Sequence, residues 1–158
     1  MSDKLKSIII RYHEVEKYIA FGSEVNQETL ETIELGKRIY QIFNQTVSEL
    51  FTYEQEVAIL ALVISKKILS WDVEQMHELR QQLVLYVKEN PQRLKEIIEV
   101  EYTDNTESQI DDYISGFISL PTTLKPKIKE AATEAEKETI IDVLKGNPQD
   151  AIIGNLKK

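Results

Sequence analysis

Few residues in this chain have the type and spacing that chemistry requires. There are two histidines and no cysteine. The lack of cysteine excludes disulfides and thiolate-bound metal outright. Glu74-Gln-Met-His77 has the Glu-x-x-His spacing of a di-iron carboxylate bundle, a site that needs two such motifs and two further carboxylates on facing helices. The other histidine, His13, has Ile10 where a second motif needs its glutamate, so the set is incomplete. The simpler reading of Glu74 and His77 is a polar pair on a helix surface. His13-Glu14 has Lys17 where a zinc-protease motif places its second histidine. No Gly-x-Ser-x-Gly elbow frames a serine nucleophile. Neither a Gly-x-x-x-x-Gly-Lys-Ser/Thr loop nor a Gly-x-Gly-x-x-Gly turn is present, and the five glycines are scattered. No catalytic, cofactor-binding or metal-ligating residue is therefore assigned, and the protein is expected not to be an enzyme.

The elements that would have to position a site point to an all-α protein. The run Val57–Ile64 has no polar side-chain atom, and periodicity alone does not tell a buried strand from a buried helix. Its flanks decide. Thr52 and Gln55 fit a capping box, and Glu54 and Glu56 suit the positive end of a helix dipole. Lys66 and Lys67 suit the other end, so a helix is expected over Tyr53–Leu69. A helix apolar almost all round must be enclosed by others.

Its neighbours read as amphipathic helices. The first runs from about Asp3 to Phe21 with a stripe of Leu5, Ile8, Ile9, Tyr12, Val15 and Ile19, and Gly22 as its stop. The second starts at Asn26 as N-cap, with Val25 and Leu30 as a staple and a stripe of Leu30, Ile33, Gly36, Tyr40, Phe43, Val47 and Leu50. Gly36 on a buried face is read as permitting close helix approach rather than binding phosphate. Trp71 and Asp72 open the fourth helix, with Val73, Met76, Leu79, Leu83, Tyr86 and Val87 inward. Asn90-Pro91 ends it and starts the fifth, which carries Leu94, Ile97 and Ile98. Thr106 and Gln109 can cap the sixth, whose inward set is Ile110, Tyr113, Ile114, Phe117 and Ile118.

Leu120-Pro121 is the clearest internal boundary, dividing a helical domain at 1–120 from a tail at 121–158. Short helices are expected near 127–145 and 148–156, and the tail either packs as an appendage or is partly mobile. At 158 residues and a net charge of -8, the protein is long enough for one real core and is a poor nucleic-acid binder. The acidic stretch from Glu96 to Asp112 holds seven carboxylates and no Lys or Arg; a solvated face explains it more simply than a basic partner. No stretch approaches the ~18 apolar residues of a membrane span. The N-terminus lacks a signal-peptide pattern, so a soluble cytoplasmic protein is expected.

Several short segments, taken in order, resemble one family. Tyr18-Ile-Ala-Phe-Gly-Ser-Glu-Val25 resembles the Phe-Ala-x-Phe-Gly-Ser-Asp-Leu-Asp segment of the F-type ATP synthase alpha subunit. Leu35-Gly-Lys-Arg-Ile39 resembles that family's Arg-Gly-x-Arg-Leu, with Gly36 and Arg38 matching and Leu35 departing. Thr52-Tyr-Glu-Gln-Glu-Val57 is similar to its Thr-Val-Ala-Glu-Gln-Val entry into a buried helix, and Ile68-Leu-Ser-Trp71 to the Tyr-Leu-Asp-x-Leu that ends it. Tyr86-Val-Lys-Glu-Asn-Pro91 and Glu96-Ile-Ile98 look most like cyanobacterial and chloroplast versions. The resemblance spans about residues 4–118. Leu50 stands where a Pro is common, and the tail after Pro121 has no recognised counterpart.

The resemblance implies the carboxyl-terminal helical domain of that subunit and only that. In the family this domain is not catalytic, packs beneath the nucleotide domain near the rotor shaft, and helps form the collar of the alpha–beta ring. The family's phosphate loop, metal-binding acid and arginine finger lie upstream, so none is carried over. The implied architecture is a curled stack of about six antiparallel helices with a short helical tail. The implied function is a non-catalytic protein–protein interaction module that binds or regulates the synthase head, held peripherally to the membrane through it. The second reading is a free-standing adaptor or regulator that kept the fold and lost the partner. The third is a metal enzyme using His77.

Overall fold

The computed structural model describes residues 1–21, 25–44, 50–99 and 103–120. Those residues form six α-helices and no strand: α1 (Ser2–Ala20), α2 (Gln27–Phe43), α3 (Tyr53–Ile64), α4 (Met76–Glu89), α5 (Pro91–Ile98) and α6 (Asp104–Ile118). Two 3-10 turns, Lys67–Ser70 and Val73–Gln75, join α3 to α4. The expected 121–158 tail and its two short helices lie outside the described residues, as do Gly22 and Val47.

The apolar run folds as the enclosed helix. Thr52 and Gln55 form the capping box that starts α3, with the Gln55 side chain accepting from the Thr52 N–H at 2.9 Å. Hydrogen bonds from its own backbone amide and the Thr52 hydroxyl hold the Glu54 carboxyl below the usual range. α3 touches α1, α4, α5 and α6, and Val57, Ala58, Ile59, Ala61, Leu62 and Val63 are buried. Each large side chain in that set is stabilised by about 1.5–3 kcal/mol on leaving water. Leu60 is half-buried at the edge of this contact ring.

α3 is shorter than the expected Tyr53–Leu69. It stops at Ile64 because Ser65 caps it and Lys66 turns into the left-handed region, with φ 58. Lys67 is therefore not a dipole partner in a last turn. Its ammonium reaches α6 instead, 2.5 Å from the Asp111 carboxylate and 2.9 Å from the Ser115 hydroxyl. Helix four likewise begins later than the sequence suggests. Asp72 heads the 3-10 turn, its N–H donating to Gln75 Oε1 at 3.0 Å, and α4 proper starts at Met76. Asn90-Pro91 ends α4 and starts α5 as expected, with Pro91 in the first turn. α6 is capped by Thr103 with Thr106, three residues before the expected Thr106–Gln109 pair, so Thr106 is a buried residue inside the helix.

α2 buries two seams rather than one. Ile33 and Gly36 face α1, while Leu35, Arg38, Ile39 and Ile42 face the main core. Asn26 is its N-cap, accepting from Thr29 N–H at 2.8 Å. With the buried arc turned toward Leu35 and Ile39, Tyr40 lies at the rim, and Leu50, beyond the helix end, is 92% exposed. Gly36 permits close approach in the α1–α2 seam. A Cβ there would lie 1.9 Å from the Tyr12 ring. Gly36→Ala is thus expected to force Tyr12 from its place and cost about 1–3 kcal/mol. Chemical denaturation of the single variant, and of Gly36→Ala combined with Tyr12→Ala, measures this: the alanine at 36 should be far less costly once the ring is gone.

Candidate functional site

The buried polar side chains are where chemistry would be sought, and their geometry is structural. Arg38 is 1% exposed. Its Nε donates to the Trp71 carbonyl at 2.8 Å, and Nη1 donates to the Glu34 carbonyl and carboxylate at 2.8 and 2.6 Å. Arg80, also 1% exposed, donates from Nη1 to the carbonyls of Ile42 and Asn44 at 2.8 and 2.6 Å, and its guanidinium lies 5.6 Å from the Phe51 ring centroid. The planar fork of arginine suits both roles, because several donors meet fixed acceptors at once. Arg38 ties α2 to the 3-10 connection, and Arg80 ties α4 to the end of α2.

The residues weighed for a metal are placed apart. His77 Nδ1 lies 3.0 Å from Arg80 Nη2, and its Nε2 lies 2.9 Å from the Gln81 side-chain nitrogen. Both ring nitrogens thus face side groups of their own helix. His13 sits on α1, in the other seam. Among the described residues, no three or more of His, Asp and Glu gather in a way that could hold a metal ion.

The α1–α2 seam holds a polar cluster. Tyr12 donates to Glu16 Oε1 at 3.2 Å, His13 Nδ1 is 3.3 Å from Glu16 Oε2, and His13 Nε2 is 2.7 Å from the Tyr40 hydroxyl on α2. Burial, then the Glu16 carboxylate, pushes the Tyr12 phenol up. The same two causes raise Tyr40. Both phenols thus stay protonated at neutral pH, the opposite of an activated nucleophile. On the far side, burial and then the Tyr86 ring push Tyr113 up to about 12, while its hydroxyl donates to the Asn90 carbonyl at 3.2 Å.

The acidic stretch is more than a solvated face. Glu107 pairs with Lys4 of α1, and Asp111 with Lys67, so part of it fastens α6 to its neighbours. A groove of about 550 Å³ between α5 and α6 is lined by Arg93, Glu96, Ile97, Thr106, Gln109 and Asp112 among others. Large apolar side chains left exposed include Ile10 and Tyr18 on α1, Phe21 at its C-cap, Leu50 ahead of α3 and Tyr53 at its start.

Three residues hold the structure together that sequence reasoning did not single out: Glu16, Arg80 and, beyond its place in a motif, Arg38. A signal existed for the arginines. Arg38 lies three residues after Leu35 and four before Ile42, and Arg80 lies one after Leu79 and three before Leu83, so each sits inside an apolar seam.

Comparison with known proteins adds the following. The model of the family described as "ATP synthase alpha/beta chain, C terminal domain" matches residues 1–117. ATP synthase subunit alpha of Rickettsia bellii is 23% identical over 120 residues, covering 75% of this protein and 23% of the relative. ATP synthase subunit alpha of Clostridium botulinum is 27% identical over 115 residues, 72% of this protein and 23% of the relative. That of Clostridium acetobutylicum is 27% identical over 119 residues, 74% and 24%. The sequence spans about a quarter of the length of the curated relatives it matches. No solved structure gives a significant match.

Proposed function

This protein belongs to the family formed by the C-terminal domains of the ATP synthase alpha and beta subunits, and from that premise we propose that it is a non-catalytic interaction module that docks on or regulates the synthase catalytic head. The observation that carries this reading is the match across residues 1–117 with a domain that does not include the nucleotide machinery. The buried charged residues Glu16, Arg38 and Arg80 support it by each having a structural partner, which leaves the surface as the place for function. None of the described helices is long and apolar enough to cross a membrane. Affinity purification of the tagged protein at native levels is expected to recover alpha and beta subunits of the synthase. Recovery of neither from the native cell would sink the reading.

A second reading, an adaptor with an unrelated partner, has one observation in its favour. Gly36, Arg38, the Thr52–Gln55 cap and Val57, all family-like, are positions the fold itself needs. Keeping them preserves the helical stack whatever the partner. The same purification separates the two, since the adaptor would bring down a reproducible protein that is not part of the synthase.

A further inference from the structure

Along the outer side of α1, four residues recur at steps of four, three and four: Ile10, Glu14, Lys17 and Phe21, the last being the C-cap. At about 100° per residue they fall within an arc of roughly 60°, on the side away from the buried Tyr12 and Ile19. Ile10 is 58% exposed and Phe21 88%, and the two charged residues between them are exposed as well. This spacing is that of a seam along which two helices interlock. The charges single out the same stripe. Among the described residues, the other charged side chains of α1 are engaged: Lys4 with Glu107, Lys6 with Asp3, Arg11 with Glu28 and Glu16 with His13. There, Glu14 and Lys17 have no ion pair or side-chain hydrogen bond, either with each other or with a neighbour.

In chemical character the stripe is its own complement when turned end for end: apolar, acid, base, apolar. With a two-fold axis between positions 15 and 16, two antiparallel copies set Ile10 against Phe21 of the second copy and Glu14 against Lys17 of the second copy. The symmetry repeats both contacts. A parallel pair would instead set glutamate on glutamate and lysine on lysine, which repels. We infer that the outer face of α1 is a self-complementary contact that pairs two copies of this protein, antiparallel and in this register. Four residues a side fall well short of the roughly 20–30 of a standard interface, so the pair is weak, with a dissociation constant on the order of 0.1–1 mM. At a net charge of -8 the copies repel at long range. Salt at about 0.15 M screens that repulsion while sparing pairs in contact. The inference does not rest on the synthase reading, and the purified protein tests it with no synthase subunit present.

The experiment follows amide chemical shifts and translational diffusion by nuclear magnetic resonance in that salt, from about 20 µM to about 1 mM full-length protein. Diffusion is expected to slow with concentration while the amides of residues 10–21 shift. Glu14→Lys and Lys17→Glu, each at an exposed site, should leave far-UV circular dichroism unchanged and weaken self-association by more than about tenfold. Mixed in equal amounts, the two variants should associate at least as tightly as the parent, because each charged contact between unlike copies is then opposite in sign. The double variant Glu14→Lys with Lys17→Glu should pair with itself as the parent does. A parent that stays monomeric at about 1 mM would overturn the inference and leave this face to a different protein. So would self-association that either single reversal leaves intact, which would place the contact elsewhere. A mixture of the two variants that stays monomeric would overturn it as well, since the antiparallel register requires the rescue.

Discussion

Leu62→Asp is expected to leave a protein with no cooperative thermal transition. Leu62 is 0% exposed in the last turn of α3, the helix that α1, α4, α5 and α6 enclose. The substitution removes about 1.5–3 kcal/mol of side-chain burial. It also places a carboxylate in the same apolar core as Ile59, Val63 and Leu79. An unpaired buried charge costs several kcal/mol more, or forces the group to stay protonated at a similar cost. The sum is comparable with the whole stability of a domain this size, roughly 5–15 kcal/mol. Circular dichroism against temperature reads it directly. Leu60→Asp, on the half-buried flank of the same helix, is the control and should melt lower but still cooperatively. A Leu62→Asp protein that melts like the parent would mean the enclosed helix is misplaced.

The second large effect belongs to Arg38. Arg38→Ala takes away the donors that reach the Trp71 carbonyl and the Glu34 carbonyl and carboxylate. Breaking such a buried pair by removing one member costs about 3–5 kcal/mol, which for a domain of this size lowers the melting temperature by roughly 10–20 °C. Glu34 is partly exposed, with 23% of its side chain open to solvent, so the lower part of that range is the better expectation. Arg38→Lys keeps the charge and loses the fork, and should recover only part of the loss. A free-energy change below about 1 kcal/mol for Arg38→Ala would be that of a surface ion pair and would contradict the geometry.

What is legible in the sequence follows from where local rules and tertiary rules agree. The start of α3 is legible because Thr52 and Gln55 cap it whatever surrounds it. Its end is not, because Lys66 and Lys67 look like dipole partners while Lys67 has a better partner in Asp111, distant in sequence. The α2 stripe is half right for a related reason. A single arc through Ile33 and Gly36 describes the α1 seam, but α2 is wrapped on a second side, where Leu35, Ile39 and Ile42 are buried beside Arg38. Capping of α6 slips by one set because Thr103 and Thr106 offer the same chemistry as Thr106 and Gln109. The candidate site is legible mainly as an absence of motifs. The polar groups that the fold does bury hold helices together, which motif spacing alone does not reveal.

Amide hydrogen exchange on the intact protein tests the enclosed helix most directly. If α3 is wrapped on every side, the amides of Ala61, Leu62 and Val63 exchange only through global unfolding, with an opening free energy equal to the full stability, while amides near Ser2 and at the Ile98 end of α5 open locally and far sooner. Exchange in α3 as fast as at those helix ends would contradict the enclosure of that helix, and with it the assignment of function to the surface.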